Sequence, residues 1–382
     1  QGLPWAGCTV LTAEPDKLRG VRDKAVRRED VFVADMPRRR AGDARNGRAV
    51  SSSRAPRAEP FHFGPGDRPL FGWLHRPAPT DGPLPMRGVV ICNPFGYEAI
   101  CAHRSLRHIA EAAAGAGLCA LRFDYDGTGD SAGSDRDPER PRAWVRSIRE
   151  AMAALRRHGG VPNVVLLGVR LGALLGALAA VEDDDVVELI AVAPVVSGRA
   201  YLRELRALQN ALGHSAAPSG HAGAPPDQEA VGFLITEPTR AALAEVDLLT
   251  ETRLPAASVA ILDRIDLPTG ERWAMRLRDQ GASVDSQQVP GYVEMVLDPH
   301  NAIVPRALID VLTARFRRHA RGDLPADRPS SRADLTHDRA EAVPTTPAPV
   351  AAGVIERPVF VDAGRLLFGV VSEPEAEPSG RA

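Results

Sequence analysis

Gly168-Val169-Arg170-Leu171-Gly172 has the spacing of a nucleophile turn without a nucleophile in it. A β-branched apolar run enters at Val164 and an Ala/Leu-rich stretch leaves after Gly172, the strand–turn–helix context that G-x-S-x-G needs. Gly168 and Gly172 suit a turn that packs strand against helix so closely that a Cβ would clash. Between them stands Arg170. A guanidinium stays protonated and offers no lone pair, so it cannot attack a carbonyl. What it can supply is a fixed positive charge at a helix N-terminus, which favours an anion such as a carboxylate or phosphate. A partly buried arginine must also be paired, and Asp266, Asp263 and Asp126 are the candidate internal partners.

The elements that must hold this turn follow from apolar patterning. The 382 residues are 44% hydrophobic but only 5% aromatic, with Ala, Leu and Val abundant, which points to an α/β core. Buried strands are expected at 88–92, 118–123, 164–169, 187–192, 258–262 and 283–289. Helices are expected at 104–116, 142–158, 199–212, 272–280 and 304–320, besides the one that follows the turn. A hairpin over 61–74 turns around Gly64-Pro65-Gly66-Asp67. Strands separated by helices of this length imply a doubly wound, mostly parallel sheet with helices on both faces. The segment 199–250 reads as a small lid or insert, with 213–227 a mobile loop over the site.

Outside this domain, residues 1–58 carry thirteen Lys/Arg against seven Asp/Glu and read as a disordered basic arm. Residues 321–355 form a Pro/Ala-rich linker. The segment 356–382 then echoes 59–77 without gaps, Glu356, Phe360, Leu367, Phe368, Gly369 and Pro374 repeating Glu59, Phe63, Leu70, Phe71, Gly72 and Pro77. A truncated second copy of the domain is therefore expected to start there. A net charge of −2 gives no drive toward nucleic acid or anionic membrane. Val164 to Val181 is the one membrane-like stretch; a strand and a buried helix account for it better than a span. Cys8, Cys92, Cys101 and Cys119 have unrelated spacings, which fit neither a disulfide framework nor a zinc site. A reduced, cytoplasmic setting is expected, with no metal or organic cofactor and oligomeric state undetermined.

Two further motifs accompany the turn. Phe123-Asp124-Tyr125-Asp126-Gly127-Thr128-Gly129-Asp130-Ser131-Ala132-Gly133 resembles the Asp…Gly-x-Gly-x-Ser-x-Gly loop after the fourth strand of the α/β-hydrolase superfamily. Gly291-Tyr292…Met295…Asp298-Pro299-His300…Pro305 resembles the late loop that presents that superfamily's histidine. Within the superfamily, residues 59–320 look most similar to serine aminopeptidase S33-like proteins and to hydrolases that accompany exosortase A systems. Some of the latter also carry arginine at the elbow. The resemblance implies an α/β-hydrolase fold and an esterase- or peptidase-like lineage acting on acyl or small ester and amide substrates. It further implies His300 as base, oriented by Asp266 or, alternatively, Asp263. The implied oxyanion hole uses the main-chain N–H of Leu171 and of a residue in the loop 93–96, taken as Phe95. Gly129-Asp130-Ser131-Ala132-Gly133 also satisfies the G-x-S-x-G string, but a Gly/Asp loop precedes it and no helix follows, so Ser131 reads as a turn-forming residue.

Three readings stay open at this stage. The domain is a non-catalytic module binding an anionic or acyl small molecule; or it hydrolyses slowly, His300 activating water directly, with Cys92 or Ser105 as displaced nucleophile a variant; or it is the regulatory half of a tandem hydrolase. Neither a nucleic-acid partner nor a membrane span is expected under any of them.

Overall fold

Uninterrupted apolar runs become the central strands, because strands covered by helices on both faces have no polar side to show. The computed structural model describes residues 57–79, 86–211, 228–230, 232–324, 340–344, 347–351, 353–362 and 366–375, all within one compact unit, Ser52–Ala382. The basic arm expected over 1–58 lies outside the described residues but for its last two. The loop 213–227 lies outside them entirely.

The chain opens with the hairpin β1 (Arg57–Phe63) and β2 (Leu70–Arg76). It continues through β3 (Arg87–Cys92), α1 (Tyr97–Gly115), β4 (Cys119–Phe123), α2 (Arg140–Gly159), β5 (Asn163–Val169), α3 (Leu171–Ala180) and β6 (Val186–Val192). An insert follows, made of α4 (Gly198–Ala211), the small hairpin β7 (Gln228–Ala230) and β8 (Phe233–Ile235), and α5 (Glu237–Ala244). Then come β9 (Ser258–Asp263), α6 (Glu271–Asp279), β10 (Ser283–Gln288), α7 (Tyr292–Met295) and α8 (Arg306–Arg321). β11 (Ala348–Ala351), β12 (Val354–Asp362) and β13 (Leu366–Pro374) form a separate three-stranded sheet.

The main sheet has the order β1-β2-β4-β3-β5-β6-β9-β10. β2 runs antiparallel to β1 and β4, and every other pairing is parallel. Alternation along β5 divides the core: Val164 and Leu166 face the layer of α2, α3 and α6, whereas Val165, Leu167 and Val169 face α1 and α8. β10 closes the edge with Ser283-Val284-Asp285-Ser286-Gln287-Gln288, largely exposed, a polar rim that discourages edge pairing. At the opposite end from the turn, the buried Glu188 of β6 staples α8 to the sheet. Its carboxylate accepts from Arg315 Nε and Nη2 at 2.8 and 2.7 Å, from His319 Nε2 at 2.7 Å and from Ser258 Oγ at 2.8 Å. Among the described residues no helix is long and apolar enough to cross a membrane; Val164 to Val181 is β5, the turn and α3.

β12 and β13 pair antiparallel as β1 and β2 do, yet Phe360 faces Phe368, whereas Phe63 faces Leu70. The later hairpin is thus one residue out of register with the earlier one. Phe368 packs on Trp73 of β2, ring centroids 4.4 Å apart. The described part of the segment expected as linker is docked: Glu341 N–H donates to Arg157 O, and His158 Nδ1 lies 3.1 Å from Ala342 O.

Candidate functional site

Parallel strands bring their carboxyl ends to one edge, and the residues that follow β3, β5, β6, β9 and β10 converge there. The turn itself is sterically forced. A Cβ on Gly168 would lie 2.4 Å from Ala173 Cα, and one on Gly172 would lie 2.2 Å from Cys92 O and 2.4 Å from Asn93 O. Arg170 is left with φ 54° and ψ −120°, a backbone state that non-glycine residues rarely adopt. Hydrogen bonds hold it there: Arg170 N–H donates to Val192 O, and Arg170 O accepts from Ala173 N and Val195 N.

The Arg170 side chain is buried and turns inward, not toward solvent. Its Nε donates to Glu98 Oε1 at 2.9 Å, its Nη2 to Glu204 Oε2 at 2.5 Å and its Nη1 to Ala193 O at 3.4 Å. The guanidinium carbon lies 5.5 Å from the ring of Tyr292 and 5.9 Å from that of Tyr201. Tyr292 Oη donates to the same Glu98 Oε1 at 2.7 Å. Its ring also carries Arg264 at 4.6 Å on a guanidinium that reaches Glu204 Oε1 at 3.4 Å. Burial by itself would loosen the Arg170 proton, but the charges of Glu98 and Glu204 more than offset this and hold it above the ordinary arginine value. Burial, reinforced by Glu98, likewise drives the Tyr292 phenol well above its usual range. Glu98 Oε2 and Tyr201 Oη are buried without a hydrogen-bond partner among the described residues.

The three carboxylates considered for Arg170 lie elsewhere. Asp126 binds Arg68 and Arg140. Asp266 is half-exposed and paired with Arg264. Asp263, buried at the end of β9, accepts the main-chain N–H groups of Arg264, Thr269 and Gly270 at 2.7–2.8 Å, which ties down the loop. Glu98 and Glu204 take their place. Glu98 follows the loop after β3 by two residues, and the helix expected at 104 in fact starts at Tyr97. Glu204 stands on α4, three residues after Tyr201.

His300 is exposed, and its ring makes no hydrogen bond or ion pair to a described residue. Only its main-chain N–H is engaged, with Asp298 Oδ1 at 3.0 Å. Neither Asp266 nor Asp263 contacts it, so the expected base–acid pair is not assembled. The residue after β10 that reaches the elbow is Tyr292, because α7 begins immediately after Gly291 (φ +116°) and leaves the Asp298-Pro299-His300 segment outside. The two residues expected to supply the oxyanion-hole donors lie at the turn and in the loop after β3. Leu171 opens α3, where an N–H has no intrahelical acceptor, and Phe95 lies in the loop after β3 with its ring on Trp144. Ser131 is a structural residue: its Oγ donates to Asp124 O at 2.7 Å and accepts from Phe71 N at 2.9 Å. Cys92 is fully buried and its thiol is pushed far up by desolvation, which leaves no thiolate for attack. Ser105 is buried on α1.

The family model of the serine aminopeptidase, S33, matches residues 89–262, from β3 to β9. No curated protein sequence matches the chain. Among solved structures, the chain is similar to the acylaminoacyl peptidase of Pyrococcus horikoshii, at 13% identity over 72% of this chain, with a TM-score of 0.48; it spans only 43% of that peptidase. Est1E from Butyrivibrio proteoclasticus is similar at 16% identity over 68% of this chain and 96% of its own, TM-score 0.47. The proline iminopeptidase of Mycobacterium smegmatis is similar at 17% identity over 69% of this chain and 100% of its own, TM-score 0.49. By its strand order, its strained elbow between two obligatory glycines and the helices on both faces of its sheet, the chain has an α/β-hydrolase fold, and its residues 89–262 are similar to the serine aminopeptidase S33 family.

Proposed function

We propose that this domain comes from an esterase- or peptidase-like hydrolase lineage but does not carry out serine hydrolysis, its elbow serving as a closed ion-pair clasp in a binding or regulatory module. One observation carries the reading: Arg170 occupies the strained elbow position and spends its donors internally, on Glu98, Glu204 and Ala193 O. A guanidinium cannot become a nucleophile, and one matched by two carboxylates has little charge left for an anion entering from solvent. The same geometry weighs against hydrolysis by water through His300. A general base must be held within reach of the proton it takes. Here the elbow's neighbour is a phenol driven above its usual range, and the imidazole stands outside with no carboxylate to orient it.

The test is labelling with a serine-directed phosphonate, combined with turnover of an activated ester by wild type, Arg170→Ser and His300→Ala. Neither wild type nor Arg170→Ser is expected to label, the latter because Tyr292 supplies no base to a hydroxyl there. Ester loss should match buffer and be indifferent to His300→Ala. Labelling of the wild-type chain, or turnover that falls with His300→Ala, would overturn the proposal.

A further inference from the structure

Beside the elbow, the loop after β3 forms one wall of a cavity of about 400 Å³, at the small end of the roughly 300–1,000 Å³ of ligand pockets. Phe71, Trp73, Phe95, Ile100, Leu106 and Phe233 supply its apolar surface. Two charges stand in that surface. Arg122 is on β4 and Asp124 follows two residues later, so both side chains leave the same side of the strand.

Neither charge makes a direct ion pair with a described residue, and the two act on each other only at longer range. The Arg122 guanidinium donates one hydrogen bond, from Nε to His75 Nε2 at 3.1 Å, and lies 5.5 Å from the ring of Trp73. Asp124 accepts one, from the Asp130 N–H at 3.1 Å. Of the five buried arginines among the described residues, Arg140, Arg156, Arg170 and Arg315 touch a carboxylate, and Arg87 instead meets His319 Nδ1 and donates to Leu324 O. Burial pushes the Asp124 carboxyl up to about 6 and the Arg122 guanidinium down to about 10, so both remain mainly charged at neutral pH in surroundings that disfavour charge. A half-satisfied pair of this kind is costly in an apolar wall unless something completes it.

We propose that the cavity binds a small apolar zwitterion, a free α-amino acid with a bulky apolar side chain. Its carboxylate meets the Arg122 guanidinium, its ammonium meets the Asp124 carboxylate, and its side chain packs among the aromatic walls. A simple carboxylate would answer Arg122 but set a second anion beside Asp124; a simple amine would do the reverse beside Arg122. Only a ligand carrying both charges on neighbouring atoms satisfies both groups. The site is separate from the elbow, since Arg170, Glu98 and Tyr292 do not line it, and it stands whether or not the elbow hydrolyses anything.

Calorimetric titration of the full chain with L-phenylalanine, 3-phenylpropionate and 2-phenylethylamine tests this. Phenylalanine is expected to bind, and each one-charge analogue to bind at least about tenfold more weakly, the loss of one charge-assisted contact. Arg122→Met, which keeps the apolar stem over Trp73, and Asp124→Asn, which keeps the acceptor for Asp130 N–H, should each weaken phenylalanine by about tenfold or more. The analogue series uses the wild-type chain, so it decides even where a variant folds poorly. No binding of phenylalanine at about 10 mM, or binding of either analogue as tight as that of phenylalanine, would overturn the proposal.

Discussion

Replacing Arg170 with methionine should destabilise the fold by far more than a surface substitution, and the contacts say how much. The Arg170 side chain is 3% exposed and that of Glu98 13%, so their 2.9 Å pair is buried; Glu204 is 42% exposed. Removing one member of a buried pair costs about 3–5 kcal/mol, because the other charge is left without compensation. The exposed half of the network adds at most about 1 kcal/mol, since solvent screens it. Glu98 would keep only the Tyr292 hydroxyl on Oε1, its Oε2 having no partner to begin with. Arg170→Met is therefore expected to lower stability by about 4 kcal/mol. Adding Glu98→Gln to it should restore about half, as an amide tolerates that site without a cation. Urea unfolding at pH 7 reads both steps as midpoint shifts at constant slope. A loss below about 1 kcal/mol for Arg170→Met, or a double variant no more stable than the single one, would refute the buried-clasp reading.

Two more outcomes follow from the same reasoning. Burial alone would raise the Glu188 carboxyl, but Arg315 and His319 more than offset this and hold it down at about 2, from an ordinary 4.5. A depressed carboxylate contributes stability above its unfolded value, here about 3 kcal/mol, and loses it as pH falls from about 4.5 to 2. Unfolding midpoints should drop through that window in wild type and flatten in Glu188→Gln; equal slopes in both would reject the staple. Gly172→Ala should cost about 3 kcal/mol or more, since its Cβ meets backbone at Cys92 O and Asn93 O, whereas Gly66→Ala meets nothing within 4 Å and should be neutral within about 0.5 kcal/mol. Equal thermal midpoints for the two variants would contradict the close packing of the elbow.

Local patterns made the frame legible. β3, β5, β6 and β9 are apolar runs because helices cover both their faces, and the strand–turn–helix around Gly168 and Gly172 announces its own sterics. What stayed hidden depends on distance along the chain. Arg170 demanded carboxylates, but proximity to known strand ends favoured Asp263 and Asp266. The actual partners lie 72 and 34 residues before and after it, on helices whose starts and rotations set what they reach. Glu98 was obscured because Asn93-Pro94-Phe95-Gly96 reads as a long loop, whereas Gly96 at φ +61° lets α1 begin at once. His300 was favoured by its Asp-Pro-His setting, a sequence signal that carries no information about which way a four-residue helix will turn it.

The elbow's backbone does not depend on which side chain it carries. The strained φ of residue 170 is fixed by main-chain bonds to Val192, Ala173 and Val195 and by two glycines, none of which involves the side chain. Any residue placed there is thrust among the ends of β3, β6, β9 and β10. A guanidinium thrust into the same convergence needs carboxylates, and α1 and α4 supply them in Glu98 and Glu204. The convergence of strand ends thereby concentrates ion pairs on one cation. This edge is a cross-link among the insert, α1 and the late loops, while in the cavity beside it Arg122 and Asp124 make no direct ion pair with a described residue.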